Sequence, residues 1–222
     1  MDNRVLNQDL ARWNDHMYRA HPTPYTQGVA GIIQKARVKA VMQYAQIRPA
    51  DTVLELGCES GHLLVECPQA IRLVGADIST AALADARALF TARGRTGEFF
   101  QVDALQPLPF QPGEFNVIIC SEMLEHVSDP RLVMANIRAI CSPNTRVVLT
   151  VPIEAPKIKI KKILHRIGLL RLFFPGIEVE QSEWHLQAFS RAMLLDQARE
   201  FFTFQTGRLV WGAHYAARFS VK

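Results

Sequence analysis

The sequence predicts an α/β fold: a seven-stranded, mostly parallel sheet with an antiparallel edge strand and with helices on both faces. Two observations support this class. Short apolar runs rich in β-branched residues alternate strictly with helical patterns, which is typical of a parallel sheet covered on both faces. The last two apolar runs are joined by a short link, which permits an antiparallel pair at one edge of the sheet.

Each element follows from a local pattern. Seven apolar runs are predicted as strands: 52–56, 71–77, 98–103, 115–120, 145–151, 201–206 and 214–221. Three helices are predicted over 79–94, 129–141 and about 190–199, and their first turns are capped by Ser79, Asp129 and Ser190. Pro130 suits the first helical position, and Gly94 suits a helix end. Residues 27–46 also have a helical pattern and are expected to pack over the sheet.

The 222 residues are predicted to form one domain, with residues 1–46 as an N-terminal helical cap and residues 155–185 as a lid-like insertion. Hydrophobic residues make up 49% of the chain and charged residues 21%, which excludes a disordered protein. Neither a signal peptide nor an apolar run of about 18 residues is found. The four cysteines form no CxxC pair, so reduced thiols and a cytoplasmic location are expected.

The segment VLELGCESGHLL, residues 53–64, predicts a strand, a glycine turn and the start of a helix. Such a turn aims backbone N–H groups and a helix dipole at a ligand. Asp77 follows Gly57 by twenty residues, at the end of the second predicted strand. An acid there accepts hydrogen bonds from both hydroxyls of a ribose, although it could instead cap the following helix. The pattern favours a ligand at the carboxyl ends of the strands.

Five segments in order carry a family resemblance: ELGCESG, GADIS, FFQVDALQPLPF, FNVIICSEMLEHVSDP and VVLTVP. With their spacing they resemble the motifs of class I S-adenosylmethionine-dependent methyltransferases, which have a Rossmann-like fold. The resemblance covers roughly residues 50–152 and, more loosely, the rest of the chain. A plain dinucleotide-binding fold is the competing interpretation, and the segment around Asp103 and the antiparallel ending favour the methyltransferase.

The resemblance implies S-adenosylmethionine as the cofactor. By position, Glu55 and Gly57 would hold its methionine part, Asp77 its ribose, and Asp103 with the backbone of Ala104 its adenine amine. Three further residues of the same motifs complete the predicted cofactor site: Gly61, Ile78 and Ser121.

The chain departs from the family pattern at two positions. Glu59 stands where the pattern has glycine, so a negative charge lies beside the amino-acid end of the cofactor, where it would pair with the ammonium or weaken binding. Asn116 stands where the fourth strand usually has Asp. These departures keep open a degenerate methyltransferase fold that binds a ligand or partner without turnover.

The segment SEMLEHV, residues 121–127, follows the fourth predicted strand and is therefore expected at the mouth of the site. On a helix, Glu122, Glu125 and His126 would share one face. His126 would act as the base that removes a proton from an acceptor hydroxyl. The carboxylates would orient His126 or hold a divalent cation.

The ExxEH spacing with a distal histidine resembles two branches of the family, the ubiquinone-pathway O-methyltransferases and the small-RNA 2′-O-methyltransferases. Both are associated with a divalent metal, here Mg²⁺ or Mn²⁺, which Glu122, Glu125, His126 and His185 would hold. Similar LEHV sequences are common in metal-free members, where the histidine is a base or structural. A metal site, a metal-free base and a structural histidine therefore remain three alternatives.

The segment 155–177 interleaves Lys and Arg with Ile, Leu and Phe. It would lie on an anionic membrane surface and bring in a lipid-like acceptor, or it would pack as a lid on its own core. RNA contact is disfavoured because stacking aromatic residues and a strong positive balance are lacking. His21, Tyr25 and His185 are predicted to contact the substrate.

The sequence thus predicts a cytoplasmic methyltransferase, peripheral to the membrane if 155–177 contacts lipid. It would methylate an oxygen of a small, fairly apolar or lipid-like acceptor, with His126, Glu122 and Glu125 as catalytic residues. RNA 2′-O-methylation and a non-catalytic binding module are the alternatives.

Overall fold

The computed structural model describes residues 8–20, 28–68, 70, 72–153, 166 and 186–222 of the chain. Within these ranges, seven strands form one sheet in the order β3-β2-β1-β4-β5-β7-β6. The strands are β1 (Thr52–Leu56), β2 (Arg72–Asp77), β3 (Glu98–Gln101), β4 (Val117–Ser121), β5 (Arg146–Pro152), β6 (Phe202–Val210) and β7 (His214–Val221).

The pairing of the strands confirms the predicted fold class. β1, β2, β3, β4 and β5 pair in parallel, whereas β7 runs antiparallel to both β5 and β6. The antiparallel pair therefore lies at one edge of the sheet, with β6 outermost. The strand order reverses direction between β1 and β4, and their carboxyl ends flank the switch point at which such sheets bind ligands.

Five α-helices are described: α1 (Gln8–Ala20), α2 (Gly28–Ala45), α3 (Thr80–Ala92), α4 (Pro130–Ile140) and α5 (Arg191–Ala198). The three predicted caps are confirmed, because each side chain accepts a hydrogen bond from the backbone N–H three residues on. The acceptors are Ser79, Asp129 and Ser190, at 3.1, 3.0 and 3.1 Å.

Two buried apolar clusters fill the space between the sheet and its helices. One joins a sheet face to residues of α4 and α5, and the other joins the opposite face to residues of α2 and α3. Helices therefore cover both faces, as predicted. All four cysteines are free thiols inside the protein. None of the described helices combines the length and apolar character that crossing a membrane requires.

The structure differs from a helical interpretation of the sequence at two turns. The glycine turn leads into a single 3₁₀ turn, Leu64–Glu66, rather than an α-helix. Pro68 explains this early end, because proline disfavours helical backbone at the residue before it. SEMLEHV also forms only a 3₁₀ turn, Leu124–His126, and Glu122 adopts a left-handed φ of 55°. Its charged residues therefore do not share the face of an α-helix.

Asn116 lies at the opposite end of the sheet from the carboxyl ends of the strands. Its Oδ1 accepts a hydrogen bond from the backbone N–H of Thr52 at 2.8 Å, and its own N–H donates to the Thr52 carbonyl at 2.9 Å. Its carbonyl accepts from the N–H of Arg146 at 2.9 Å. Asn116 thus joins β1, β4 and β5 where they begin, and this departure from the family pattern has a structural explanation.

Candidate functional site

A cavity of about 440 Å³ lies at the carboxyl ends of β1, β2, β4 and β5. Its wall includes most of the predicted cofactor residues: Glu55, Gly57, Asp77, Ile78, Asp103, Ala104 and Ser121. Gly61 differs, because it lies against α3 rather than in the described cavity wall. A Cβ added at Gly61 would lie 3.2 Å from Ala86 Cβ and 3.3 Å from Phe90 Cε2. Its role is therefore close packing of the turn on α3.

Gly57 lies in the cavity wall at a point that leaves no room for a side chain. Its φ is +75°, a left-handed conformation that glycine adopts readily, and an added Cβ would lie 2.5 Å from Met123 Cγ. The N–H groups of Gly57 and Cys58 both donate to the Ala76 carbonyl, at 2.7 and 3.1 Å. The prediction that this turn aims N–H groups and a helix dipole at the ligand is therefore wrong at these positions.

Asp77 is held by the loops on either side of it. Its Oδ1 accepts from the N–H of Ser79 at 2.9 Å, and its Oδ2 accepts from the N–H of Glu59 at 2.8 Å. Burial raises the pKa of Asp77 above its usual value, although these two N–H groups lower it. Each carboxylate oxygen keeps a second lone pair, so Asp77 can still accept from ribose hydroxyls. The cap of α3 is Ser79, not Asp77.

Glu59 occupies the position where the family pattern has glycine. Its φ is +46°, which is the left-handed conformation that glycine adopts at little cost. Its N–H holds Asp77, and its side chain is part of the cavity wall. The backbone at this position therefore has a conformation that glycine adopts readily, and the departure from the family pattern lies only in the side chain of Glu59.

The loop after β3 brings a second acid to the cavity. Asp103 is buried, and its Oδ1 accepts from the N–H of Leu105 at 2.9 Å. The Asn136 side chain fixes this loop from α4, because it donates to the carbonyls of Ala104 and Gln106 at 2.9 and 3.0 Å. This loop thus holds a carboxylate and a backbone segment of the kind that reads an adenine edge.

Arg37 of α2 is a cavity residue that no sequence motif indicated. It is only 3% exposed; its Nε donates to Gln34 Oε1 at 2.8 Å, and its Nη1 donates to Ser121 Oγ. The Ser121 hydroxyl in turn lies 2.8 Å from Thr150 Oγ1. A buried guanidinium in the cavity wall is suited to a carboxylate of a ligand.

The same polar chain continues to a second residue that the sequence did not indicate, His214. Thr150 Oγ1 donates to Glu122 Oε1 at 2.9 Å, and His214 Nδ1 lies 2.6 Å from Glu122 Oε2. Glu122 and His214 both line the cavity. Arg37 is thereby connected through β4 and β5 to the start of β7.

Glu55 brings a buried carboxyl group to the cavity. It is 3% exposed, and its Oε2 has no hydrogen-bond partner in the described part of the chain. Burial raises the pKa of Glu55 to about 8, against the opposing effect of the Arg37 charge. An ammonium group of a ligand would satisfy this oxygen, and Glu55 with Arg37 therefore fits the amino-acid end of S-adenosylmethionine.

His126 and Glu125 also line the cavity. Glu125 is almost fully buried, and its Oε1 lies 3.7 Å from His126 Nε2. Its carbonyl accepts from the N–H groups of Leu186 and Gln187, which attach the chain after the insertion to this turn. The structure therefore places the predicted base and one predicted carboxylate together, whereas Glu122 faces Thr150 and His214.

The predicted metal site is not assembled by the described residues alone. Across the described ranges, no three His, Cys, Asp or Glu side chains form a group that could hold a metal ion. The fourth predicted ligand, His185, lies outside the described residues, as do His21, Tyr25 and nearly all of 155–185. The metal site stays a prediction.

Helix α1 forms a further wall of the cavity, with Leu10, Trp13, Asn14 and Tyr18. The whole arrangement combines an open parallel sheet, a cavity at its switch point, and an acid after each of two neighbouring strands. These features define a protein that binds a nucleoside-containing cofactor at the carboxyl ends of its strands.

A family model described as a methyltransferase domain matches residues 30–201. The chain belongs to this family and is a class I S-adenosylmethionine-dependent methyltransferase. The cofactor is S-adenosylmethionine, in agreement with the sequence prediction and with the residues of the cavity.

A curated relative carries a more specific name. The ubiquinone biosynthesis O-methyltransferase of Pseudomonas paraeruginosa is 33% identical over 126 residues, which are 56% of this chain and 54% of that protein. The chain thus spans about half the length of the curated relatives it matches.

Solved structures agree on the fold. A crystal structure of the PH0226 protein from Pyrococcus horikoshii has a TM-score of 0.68 at 19% identity and covers 93% of this chain and 99% of that one. The N-methyltransferase NodS from Bradyrhizobium japonicum, in complex with S-adenosyl-L-homocysteine, has a TM-score of 0.61 at 18% identity and covers 99% of both chains.

Proposed function

We propose that this protein transfers the methyl group of S-adenosylmethionine to a hydroxyl oxygen of a small, fairly apolar or lipid-like acceptor. One observation carries the proposal: a single cavity contains the acids suited to the cofactor together with His126 and its neighbour Glu125. The name of the Pseudomonas relative, an O-methyltransferase, supports oxygen as the acceptor atom.

In this proposal the cofactor lies along the carboxyl ends of β2, β1 and β4. Asp103 takes the adenine end and Asp77 takes the ribose. Glu55 accepts from the ammonium group, whose positive charge favours the ionised form of this carboxyl, and Arg37 donates to the carboxylate of the cofactor. The bound cofactor supplies an electrophilic methyl group on a sulfonium centre.

His126 would then act on the acceptor. Its side chain is 22% exposed, which leaves the imidazole accessible from the cavity, and the carboxylate of Glu125 lies near its Nε2. An imidazole at this position accepts the hydroxyl proton as the oxygen attacks the methyl group. The cavity wall aligns the oxygen with the methyl group, which is the main requirement of an in-line displacement.

The apolar part of the cavity wall favours an apolar acceptor. Apolar side chains from three parts of the chain line the cavity: Leu10, Trp13, Met123, Val127 and Leu186. They offer dispersion contacts and few hydrogen bonds, so an aromatic ring or an acyl-like tail fits better than a sugar or a nucleotide.

Contact with a membrane surface is part of the proposal. Leu186 at the cavity is 55% exposed, and Trp211 in the turn between β6 and β7 is 69% exposed. Ile153 donates to the Ala213 carbonyl at 2.9 Å, so the last described residue before the basic and apolar segment 155–177 lies beside this turn. Exposed Trp and Leu side chains next to cationic sequence suit an anionic lipid surface on the cytoplasmic side.

The first experiment is isothermal titration with S-adenosylhomocysteine, with and without Mn²⁺, followed by assay with methyl-labelled cofactor. The acceptors are catechols with and without an alkyl tail. Label recovered as a methyl ether, with faster transfer to the tailed catechol, is the expected result. Cofactor binding without transfer to any oxygen acceptor would contradict O-methylation, and no cofactor binding would favour the non-catalytic alternative.

Variants then test His126. His126→Ala should abolish transfer while S-adenosylhomocysteine binding is unchanged, because His126 acts on the acceptor. His16→Ala removes an exposed histidine of α1 outside the described cavity wall and should leave transfer unchanged. Transfer that survives in His126→Ala would remove the imidazole from the mechanism.

Liposomes test the membrane contact. Wild-type protein should sediment with vesicles that contain anionic phospholipid and remain in solution with neutral vesicles. Changing Lys157, Lys159, Lys161 and Lys162 to Glu should abolish this binding. Wild-type protein that ignores anionic vesicles would disprove the membrane contact and leave the catalytic proposal untouched.

A further inference from the structure

Helix α1 is attached to the start of α3 by one carboxylate. Asp15 accepts hydrogen bonds from Ser79 Oγ at 2.6 Å, from Thr80 Oγ1 at 2.8 Å and from the backbone N–H of Ala81 at 3.1 Å. Burial raises the pKa of Asp15 and these donors lower it, with a net downward shift that keeps the group ionised at neutral pH. A charged acceptor also suits the N-terminus of a helix.

The same turn of α3 belongs to the cofactor site. Ser79, which donates its hydroxyl to Asp15, also donates its N–H to Asp77 at 2.9 Å. Ser79 therefore contacts both Asp77, the carboxylate assigned to the ribose under the proposed function, and Asp15, the carboxylate that holds α1.

Among the described residues, polar contacts hold α1 in place more than core packing does. Ala11 is the only residue of α1 that is buried. The second attachment is Tyr18, whose hydroxyl donates to Asp85 Oδ2 at 2.7 Å. A helix with so little buried apolar surface opens at low cost when its polar contacts are removed.

Helix α1 also forms part of the wall around the cofactor site. Leu10, Trp13, Asn14 and Tyr18 line the same cavity as Asp77 and Asp103. A cofactor that enters or leaves past this wall requires α1 to move. Each catalytic cycle needs such an exchange, because the demethylated cofactor must leave before the next S-adenosylmethionine binds.

We propose that Asp15 is a positioning residue that latches α1 over the bound cofactor and thereby controls the rate of cofactor exchange. The inference rests on the cofactor site, so binding of S-adenosylhomocysteine by the wild-type protein is established first. The latch makes no prediction about the acceptor, and its failure would be distinct from failure of the proposed reaction.

Stopped-flow kinetics with S-adenosylhomocysteine test the latch. Asp15→Ala removes all three hydrogen bonds and should raise the dissociation rate constant roughly tenfold or more, and the association rate constant should rise as well. Both rates rise because the barrier to opening falls. A residue that merely supported the fold would lower the binding-competent fraction without accelerating association.

Proteolysis gives an independent measurement, because α1 carries Arg12 and Arg19, two exposed trypsin sites. S-adenosylhomocysteine should protect these sites in the wild-type protein, and the protection should be lost in Asp15→Ala. Asp15→Asn keeps one acceptor oxygen and should fall between the two. Asp9→Ala removes an exposed ion pair within α1 and no contact between α1 and α3, so its exchange rates for S-adenosylhomocysteine should match those of the wild type.

Unchanged exchange rates in a folded Asp15→Ala variant would overturn the latch. If that variant does not fold, Asp15→Asn replaces it, since it keeps the shape of the side chain and loses its charge and one acceptor oxygen. Asp15→Asn should accelerate dissociation by a smaller factor than the loss of all three bonds, and an unchanged rate would overturn the proposal.

Discussion

The carboxylate of Glu122 lies 2.6 Å from Nδ1 of His214, although 92 residues separate the two in the chain. Glu122 directly follows β4, and His214 begins β7. The sheet places β5 between these strands, and Thr150 of β5 donates to the other oxygen of Glu122. The pair therefore forms only when all three strands are correctly paired, and it lies at the end of the sheet that contains the cavity.

His214→Ala tests this pair. The change should lower the free energy of unfolding by about 1–3 kcal/mol, because the Glu122 carboxylate, which is largely buried, loses a charge-assisted hydrogen bond. Urea denaturation measures the change, with His16→Ala as the exposed control. Equal stability of His214→Ala and wild type would show that the contact contributes nothing to the fold.

Local sequence signals predicted most of the architecture. Ser79, Asp129 and Ser190 were identifiable as caps because an N-cap and the N–H it satisfies lie three residues apart. Asp77 and Asp103 were identifiable because each follows a strand at a spacing that the family repeats. Both signals are short-range, and neither depends on how the sheet assembles.

Long-range contacts could not be predicted in the same way. Nothing near His214 in the sequence indicates Glu122, and nothing near Arg37 indicates Ser121, which is 84 residues away. The 3₁₀ turns were missed for a different reason. The i, i+3, i+4 spacing of SEMLEHV suits a helix, but Glu122 adopts a left-handed φ and α4 already begins at Pro130, so too few residues remain for one.

Gly57→Ala and Gly94→Ala separate crowding from backbone strain. Both glycines have positive φ, +75° and +60°, but an added Cβ would lie 2.5 Å from Met123 Cγ at Gly57 and would meet nothing within 4 Å at Gly94. Gly94→Ala should cost about 1–2 kcal/mol of stability from the left-handed conformation alone. Gly57→Ala should cost a further 1–3 kcal/mol, roughly, from overpacking and should weaken S-adenosylhomocysteine binding.

Calorimetric binding and thermal unfolding of the two variants measure these effects. Gly94→Ala should bind S-adenosylhomocysteine as the wild type does, because Gly94 ends α3 away from the described cavity wall. Equal costs at the two positions would mean that Met123 moves aside freely and does not constrain the wall.

Glu59→Gly tests whether the unusual residue in the glycine turn is strained. Glu59 has a φ of +46°, and its N–H would still donate to Asp77 in the glycine variant. Removing the side chain should raise the free energy of unfolding by up to about 1 kcal/mol, since relief of strain exceeds the extra entropy of the unfolded chain. Glu59→Ala is the matched control, because it removes the charge and keeps the strain. A gain of stability in both variants would assign the effect to charge repulsion with Glu55 instead.

The buried Glu55 carboxyl predicts how stability depends on pH. Burial raises its pKa from 4.5 to about 8 in the folded protein, so the folded state holds a proton that the unfolded state releases between these values. The contribution of Glu55 to the free energy of unfolding is therefore complete below about pH 4.5 and is lost as pH rises to about 8.

Over this interval the free energy of unfolding of the cofactor-free protein should fall by roughly 3–5 kcal/mol more than in Glu55→Gln, which has no group to ionise. Urea denaturation of both proteins at several pH values measures the difference between their free energies of unfolding. The titration of every other group is common to the two proteins and cancels in this difference. A difference that does not change with pH would mean that Glu55 is already ionised in the folded protein at pH 5, with its charge balanced by the Arg37 guanidinium.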